Sequence, residues 1–211
     1  KRLEKSTYLP TRTVRAMRAG PGESVYFAVA CEQQETCSED LSPGGYQQTP
    51  GSVLLGRYNM AANKFDAATF VGGGGSLSGM DLSSTGLVYV FGNNARTGLP
   101  LKNAFQNAPA HPSFGAPFVA AFSSNLRTLA FGTYFAGQDA DLIGVELNPD
   151  GSIWMVGNAR QGAIPNFRFA SRACATGRPC LRSASCQGKI SCGGFSGPAA
   201  RTPKELRSLC C

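Results

Sequence analysis

One passage recurs along this chain at a nearly constant step, and that recurrence limits what the chain can fold into. Residues 23–29 read Glu-Ser-Val-Tyr-Phe-Ala-Val, residues 86–92 read Gly-Leu-Val-Tyr-Val-Phe-Gly, and residues 151–157 read Gly-Ser-Ile-Trp-Met-Val-Gly. Tyr26 and Tyr89 are 63 positions apart, and Tyr89 and Trp154 are 65 apart. A second marker keeps the step at Thr7-Tyr8-Leu9, Thr69-Phe70-Val71 and Thr133-Tyr134-Phe135. A third appears twice, as Gly45-Tyr46-Gln47 and Ala104-Phe105-Gln106. A fixed period signals a repeat architecture, in which each supersecondary unit buries its apolar face against its neighbours.

The unit reads as β-strands. Val88 and Val90 alternate with Tyr89 and Phe91, the period-2 pattern of β-branched and aromatic residues. Turns precede this run at Gly20-Pro21-Gly22, Ser83-Ser84-Thr85-Gly86 and Asn148-Pro149-Asp150-Gly151, residues suited to tight bends. Ile143, Val145 and Leu147 alternate upstream of the last turn and predict a hairpin. Leu54–Tyr58 is matched 64 positions on by Phe118–Phe122, and Lys64–Ala67 by Thr128–Phe131. The expectation is an all-β, propeller-like array of about three four-stranded blades. No sustained helical period appears before residue 200, and Thr202-Pro203 is placed to start a short helix. Two segments follow: a repeat domain over 1–167 and a basic, disulfide-rich tail over 168–211.

The repeat resembles the SBBP-type β-propeller repeat of bacterial surface and secreted proteins. The residues that carry the resemblance are Ala104-Phe105-Gln106, Phe118–Phe122, Gly132-Thr133-Tyr134-Phe135-Ala136-Gly137, Leu147–Ser152 and Trp154–Gly157. It spans roughly residues 5–165. Pro10 and the pair Cys31 and Cys37 depart from the usual pattern in the first unit. The resemblance implies an extracytoplasmic propeller and no catalytic residue, because framework positions define the repeat.

Eight cysteines are present: Cys31, Cys37, Cys174, Cys180, Cys186, Cys192, Cys210 and Cys211. Zinc sites usually bring ligands in C-x₂₋₄-C pairs, often with His. Here the tail spacing is C-x₅-C, and the single His111 lies far off in sequence. The expectation is therefore disulfides, no metal, no cofactor, and a secreted or cell-surface protein in an oxidising compartment. Cys31 and Cys37 should pair, since the next cysteine is more than a hundred residues away. Adjacent Cys210 and Cys211 should each reach elsewhere, including to another chain. The chain opens inside what would be a strand of a repeat, which suggests a processed product lacking its leader.

Charge is segregated. Residues 1–20 carry six Lys/Arg and one acid, residues 168–211 eight and one, and residues 21–167 six and eleven. Basic ends and an acidic body can attract one another between copies or bind acidic glycans. Aromatics are not interleaved among the basic residues, which argues against nucleic acid. No apolar run approaches the roughly 20 residues of a membrane span.

Catalytic constellations are not visible. Gly72–Gly75 lacks the Lys-Ser/Thr of a phosphate loop, and no Gly-x-Ser-x-Gly elbow occurs. His111 sits in a Pro-flanked loop, and Asp139-Ala140-Asp141 lacks the oxygen ladder of a calcium loop. One echo stands out: Gly92-Asn93-Asn94-Ala95-Arg96 and Gly157-Asn158-Ala159-Arg160 follow the same strand. Arg96, Arg160, Asn94 and Asn158 are a candidate ligand face, or else Asn makes the turn and Arg caps it. The leading expectation is a non-enzymatic structural or adhesive subunit of a larger surface assembly or filament, with other protein chains as partners. The alternative is a carbohydrate-binding propeller module. A hydrolase with its site divided across blades has no motif behind it.

Overall fold

The computed structural model describes residues 14–31, 37, 44–72, 75–96, 98–135, 140–149, 153–159, 181–185 and 190–195. Arg160, Asp139, Thr7–Leu9, the segment from Thr202 on, and Cys174, Cys180, Cys186, Cys210 and Cys211 lie outside them. The described residues form twelve strands and no helix, arranged in three antiparallel four-stranded sheets.

The first sheet is a meander of β1 (Val14–Gly20), β2 (Ser24–Ala30), β3 (Val53–Asn59) and β4 (Lys64–Val71). The second repeats it with β5 (Ser76–Leu82), β6 (Val88–Ala95), β7 (Ala116–Phe122) and β8 (Leu129–Tyr134). The third starts the same way with β9 (Ala140–Leu147) and β10 (Ile153–Ala159). Its remaining strands are β11 (Leu181–Ser185) and β12 (Ile190–Phe195), in the order β11-β12-β10-β9. The strand beside β10 is thus the last in sequence, and the third sheet draws strands from both sides of residue 167. Cys192 falls within β12.

Registers show the repeat in three dimensions. Arg18 lies opposite Tyr26, Asp81 opposite Tyr89 and Glu146 opposite Trp154. The strands of the second sheet are apolar on both faces because a sheet covers each face, and the two faces separate by parity. Tyr26, Ala28, Val53 and Leu55 of the first sheet share a core with Val88, Val90, Phe118 and Phe122 of the second. The intervening residues Tyr89, Phe91, Val119 and Ala121 point the other way and pack on Leu142, Ile153 and Met155 of the third. The first strand of each sheet leads the stacking, β1 against β5 and β5 against β9. The far face of the first sheet holds a third cluster of Phe27, Val29, Leu54, Tyr58 and Phe70. Cys31 and Cys37 join this cluster as a disulfide with Cα atoms 5.9 Å apart, as their spacing predicts.

The second and third sequence markers prove to be one device. Gln47 N donates to Thr69 Oγ1 at 2.9 Å, and Phe70 N donates to Gln47 O at 2.9 Å. One unit on, Gln106 N donates to Thr133 Oγ1 at 2.9 Å, and Tyr134 N donates to Gln106 O at 3.2 Å. Each glutamine amide then turns back to a carbonyl two residues on, Thr49 O or Ala108 O. The long loops into β3 and β7 thereby run along β4 and β8 and cover edge strands that would otherwise present free backbone groups.

Candidate functional site

The Gly-Asn echo after β6 and β10 is built by close backbone approach. A Cβ on Gly92 would run into Ser76 O, and one on Gly157 into Asp141 O, so only glycine fits at either place. Asn94 follows at φ +57°, inside a register shift between Gly92 and Ala95. Asparagine tolerates that left-handed conformation better than most residues. Its side chain and that of Arg96 are exposed at one end of β6. Arg96 also serves the framework, because its carbonyl accepts the Tyr134 hydroxyl. Asn158 is exposed on β10.

Asn158 corresponds to Asn93 rather than Asn94, and Asn93 has a defined task. Its amide donates to Leu142 O at 2.9 Å while its Oδ1 accepts from Leu142 N at 2.6 Å. One side chain therefore imitates a strand and clips the second sheet to the leading strand of the third. In the sequence the Gly-Asn echo offers a ligand face at Asn94 and Asn158 or a turn, and a clip at Asn93 looks no different from either after glycine.

Other polar groups also join sheets. Tyr26 OH and Arg57 Nη1 both donate to Ser124 O, each at 2.9 Å, tying the first sheet to the β7–β8 turn. Arg57 Nε donates to Asp66 Oδ1 at 2.6 Å. Asp66 holds the Arg57 guanidinium above its ordinary pKa, against the opposing pull of burial. Burial pushes the Asp66 carboxyl up, but its bonds from Arg57 and Asn59 outweigh that and leave it lowered. Arg18 Nε reaches Asp81 Oδ1 at 3.2 Å across the leading strands. Burial raises the phenols of Tyr89 and Tyr134.

His111 packs its ring on Phe114, with centroids 4.7 Å apart, and accepts from Ser113 N through Nδ1 at 3.3 Å. It shapes its own loop. Among the described residues, no three His, Cys, Asp or Glu side chains group as metal ligands, and no helix is long and apolar enough to cross a membrane.

Exposed apolar side chains lie at both ends of the stack, and also in the loops at Tyr46, Leu101 and Phe114. Met80 of β5 is 1% exposed beneath the first sheet, whereas Met17, its equivalent in β1, is 61% exposed. Phe91 of β6 is 5% exposed beneath the third sheet, whereas Val156, its equivalent in β10, is 48% exposed. Ile143 of β9 is also exposed. No family model matches the chain, and no curated protein matches it.

Proposed function

We propose that the chain is a non-enzymatic, extracellular structural or adhesive subunit, a propeller-like array that works as part of a larger surface assembly. The observation that carries this reading is the exposure of Val156 on the face of the third sheet that no described sheet covers. An exposed apolar face of a repeat is an interaction surface or an aggregation hazard. The Cys31–Cys37 bond fits an oxidising compartment, and the resemblance to SBBP-type repeats fits a secreted or surface role. The inter-sheet use of Asn93, Arg57 and Arg18 fits a framework in which polar side chains join sheets.

The second reading, a carbohydrate-binding module, draws on the exposure of Asn94 and Arg96 at one end of β6. A glycan array on the disulfide-intact protein separates the two. The structural reading expects weak, salt-sensitive binding without a sugar preference. Saturable binding of one glycan, lost in Arg96→Ala and Arg160→Ala, would replace it with the module. Impermeant thiol and amine labelling of intact cells tests the compartment, and a chain found only inside, with reduced cysteines, overturns it.

A further inference from the structure

We infer that the leading strands of the three sheets carry one binding row, and that its occupant is an extended peptide with acidic side chains at one end and basic ones at the other. This goes beyond the structural reading and does not depend on where the chain works or what it assembles into.

The row is built by three β-bulges at one place in the repeat. In β1 the register steps from Val14 to Ala16, in β5 from Leu77 to Gly79, and in β9 from Leu142 to Gly144. The residues passed over are Arg15, Ser78 and Ile143. They are 63 and 65 positions apart, the same two steps that separate Tyr26, Tyr89 and Trp154. A bulge adds one residue to a strand, bends it and re-aims a side chain. All three bulged residues are exposed. Ser78 is exposed even though described sheets cover both faces of its own sheet, so it stands at the margin of those contacts.

Packing accounts for the residues around each bulge but not for the bulged residue. An apolar residue comes before it, Val14, Leu77 or Leu142, and a small one after it, Ala16, Gly79 or Gly144. Leu77 and Leu142 are buried, and a Cβ on Gly79 would strike the Phe91 ring. Between these constrained neighbours the three units place an arginine, a serine and an isoleucine. The fold thus holds one exposed position three times over and fills it with a cation, a hydroxyl and a hydrocarbon. Such a row suits a partner whose own side chains differ along its length.

The edges and the charge name that partner. Among the described residues each leading strand pairs on one side only, so its other edge offers backbone N–H and C=O groups. The strands lie beside one another, β1 against β5 and β5 against β9. Sheets pack about 10 Å apart and extended residues rise about 3.3 Å, so the row spans at most about 20 Å, the reach of about six residues. Arg15 and Arg18 are exposed on β1, and Asp141 and Glu146 on β9. Arg18 Nε reaches Asp81 Oδ1 at 3.2 Å, and the five N–H donors of a guanidinium let it meet a second carboxylate as well. Midway, Ser78 Oγ accepts from Asn93 Nδ2 at 3.0 Å, which fixes the hydroxyl beside the clip. Acidic side chains of the partner therefore belong over β1 and basic ones over β9. An acidic glycan matches Arg15 but meets a hydrocarbon at Ile143 and like charge at Asp141 and Glu146.

Fluorescence anisotropy on the full disulfide-intact chain tests this. The probe is a labelled eight-residue peptide of two glutamates, a Thr-Val-Thr-Val centre and two lysines; its control has the same composition with the charges alternating. Saturable binding of the first is expected, at least tenfold tighter than the control. Arg15→Glu should weaken it at least tenfold, and a peptide with lysines at both ends should bind that variant better than it binds the natural chain. Ile143→Lys should weaken binding severalfold, and Phe114→Lys, on an exposed loop elsewhere, should leave it unchanged. A photoreactive group at the glutamate end should cross-link to residues 14–20, and one at the lysine end to residues 140–147. Equal binding of probe and control, no saturation at about 1 mM, or affinity untouched by both Arg15→Glu and Ile143→Lys overturns the inference. So does binding of a heparin fragment in place of either peptide, lost in Arg15→Glu.

Discussion

Leu126 takes φ +58° with a side chain that is fully buried between the first two sheets. A bulky residue in the left-handed region costs roughly 1–2 kcal/mol, and burying a leucine returns roughly 1.5–3 kcal/mol. The backbone bend is needed because Leu126 N donates to Ser123 O while Leu126 O accepts from Tyr46 N. Leu126→Ala should therefore be worse than Leu126→Gly: both lose the packing, but only glycine relieves the bend. Urea unfolding should show a loss of about 3 kcal/mol for alanine and about 1 kcal/mol less for glycine. The Arg57–Asp66 pair gives a pH test at the same scale. The Asp66 carboxyl is lowered on folding, so its contribution is present above its unfolded pKa of about 4 and is lost as pH falls through the folded value. Asp66→Asn should cost roughly 1–2 kcal/mol at pH 7 and little at pH 2, read as converging denaturation midpoints on acidification.

At the scale of the element, the edge device over β4 and β8 invites a direct test. Thr133 Oγ1 accepts from both Phe105 N and Gln106 N and is nearly inaccessible to solvent. Thr133→Val keeps the shape and leaves those donors unsatisfied, which should cost about 1–3 kcal/mol and speed amide exchange at residues 105, 106 and 134. Individual strands were legible in the sequence, because period-2 alternation and Gly, Pro and Asn turns act locally. β3, β4, β7 and β8 begin within a few residues of where the repeated passages place them. The pairing of β12 rather than β11 with β10 was not legible, since no repeated passage marks either strand. Nor was the bond between the Gln and Thr markers, because nothing in a linear reading shows that residues 22 or 27 positions apart meet. The candidate face was half-legible: the Gly-Asn echo was visible, but its role as a clip depends on a sheet contributed by residues 49 positions away.

For the whole molecule, the main contacts between described sheets run between neighbours in the stack, so stability should divide unevenly along it. The second sheet is covered on both faces by described sheets, and the third on one. Native-state hydrogen exchange should find β6 and β7 slowest, near the global unfolding free energy, with β9 and β10 opening earlier. Uniform protection across all three sheets would show the array unfolding as a single unit. The disulfide-linked cluster on the first sheet should make that end respond to reductant while the middle sheet does not.

The loop that seals β4 and β8 has a bearing on how such a chain changes over generations. Each of the first two units carries its own turn, its own outer strand and its own Gln–Thr closure. Copying one whole period in frame adds a finished layer and exposes no fresh strand edge, and deleting one removes a layer as cleanly. Length is then an inexpensive variable for a lineage to explore, whereas an insertion inside a period must disturb a seal. Variation among descendants should accumulate in whole multiples of about 64 residues, and comparison of repeat number across such chains would show it.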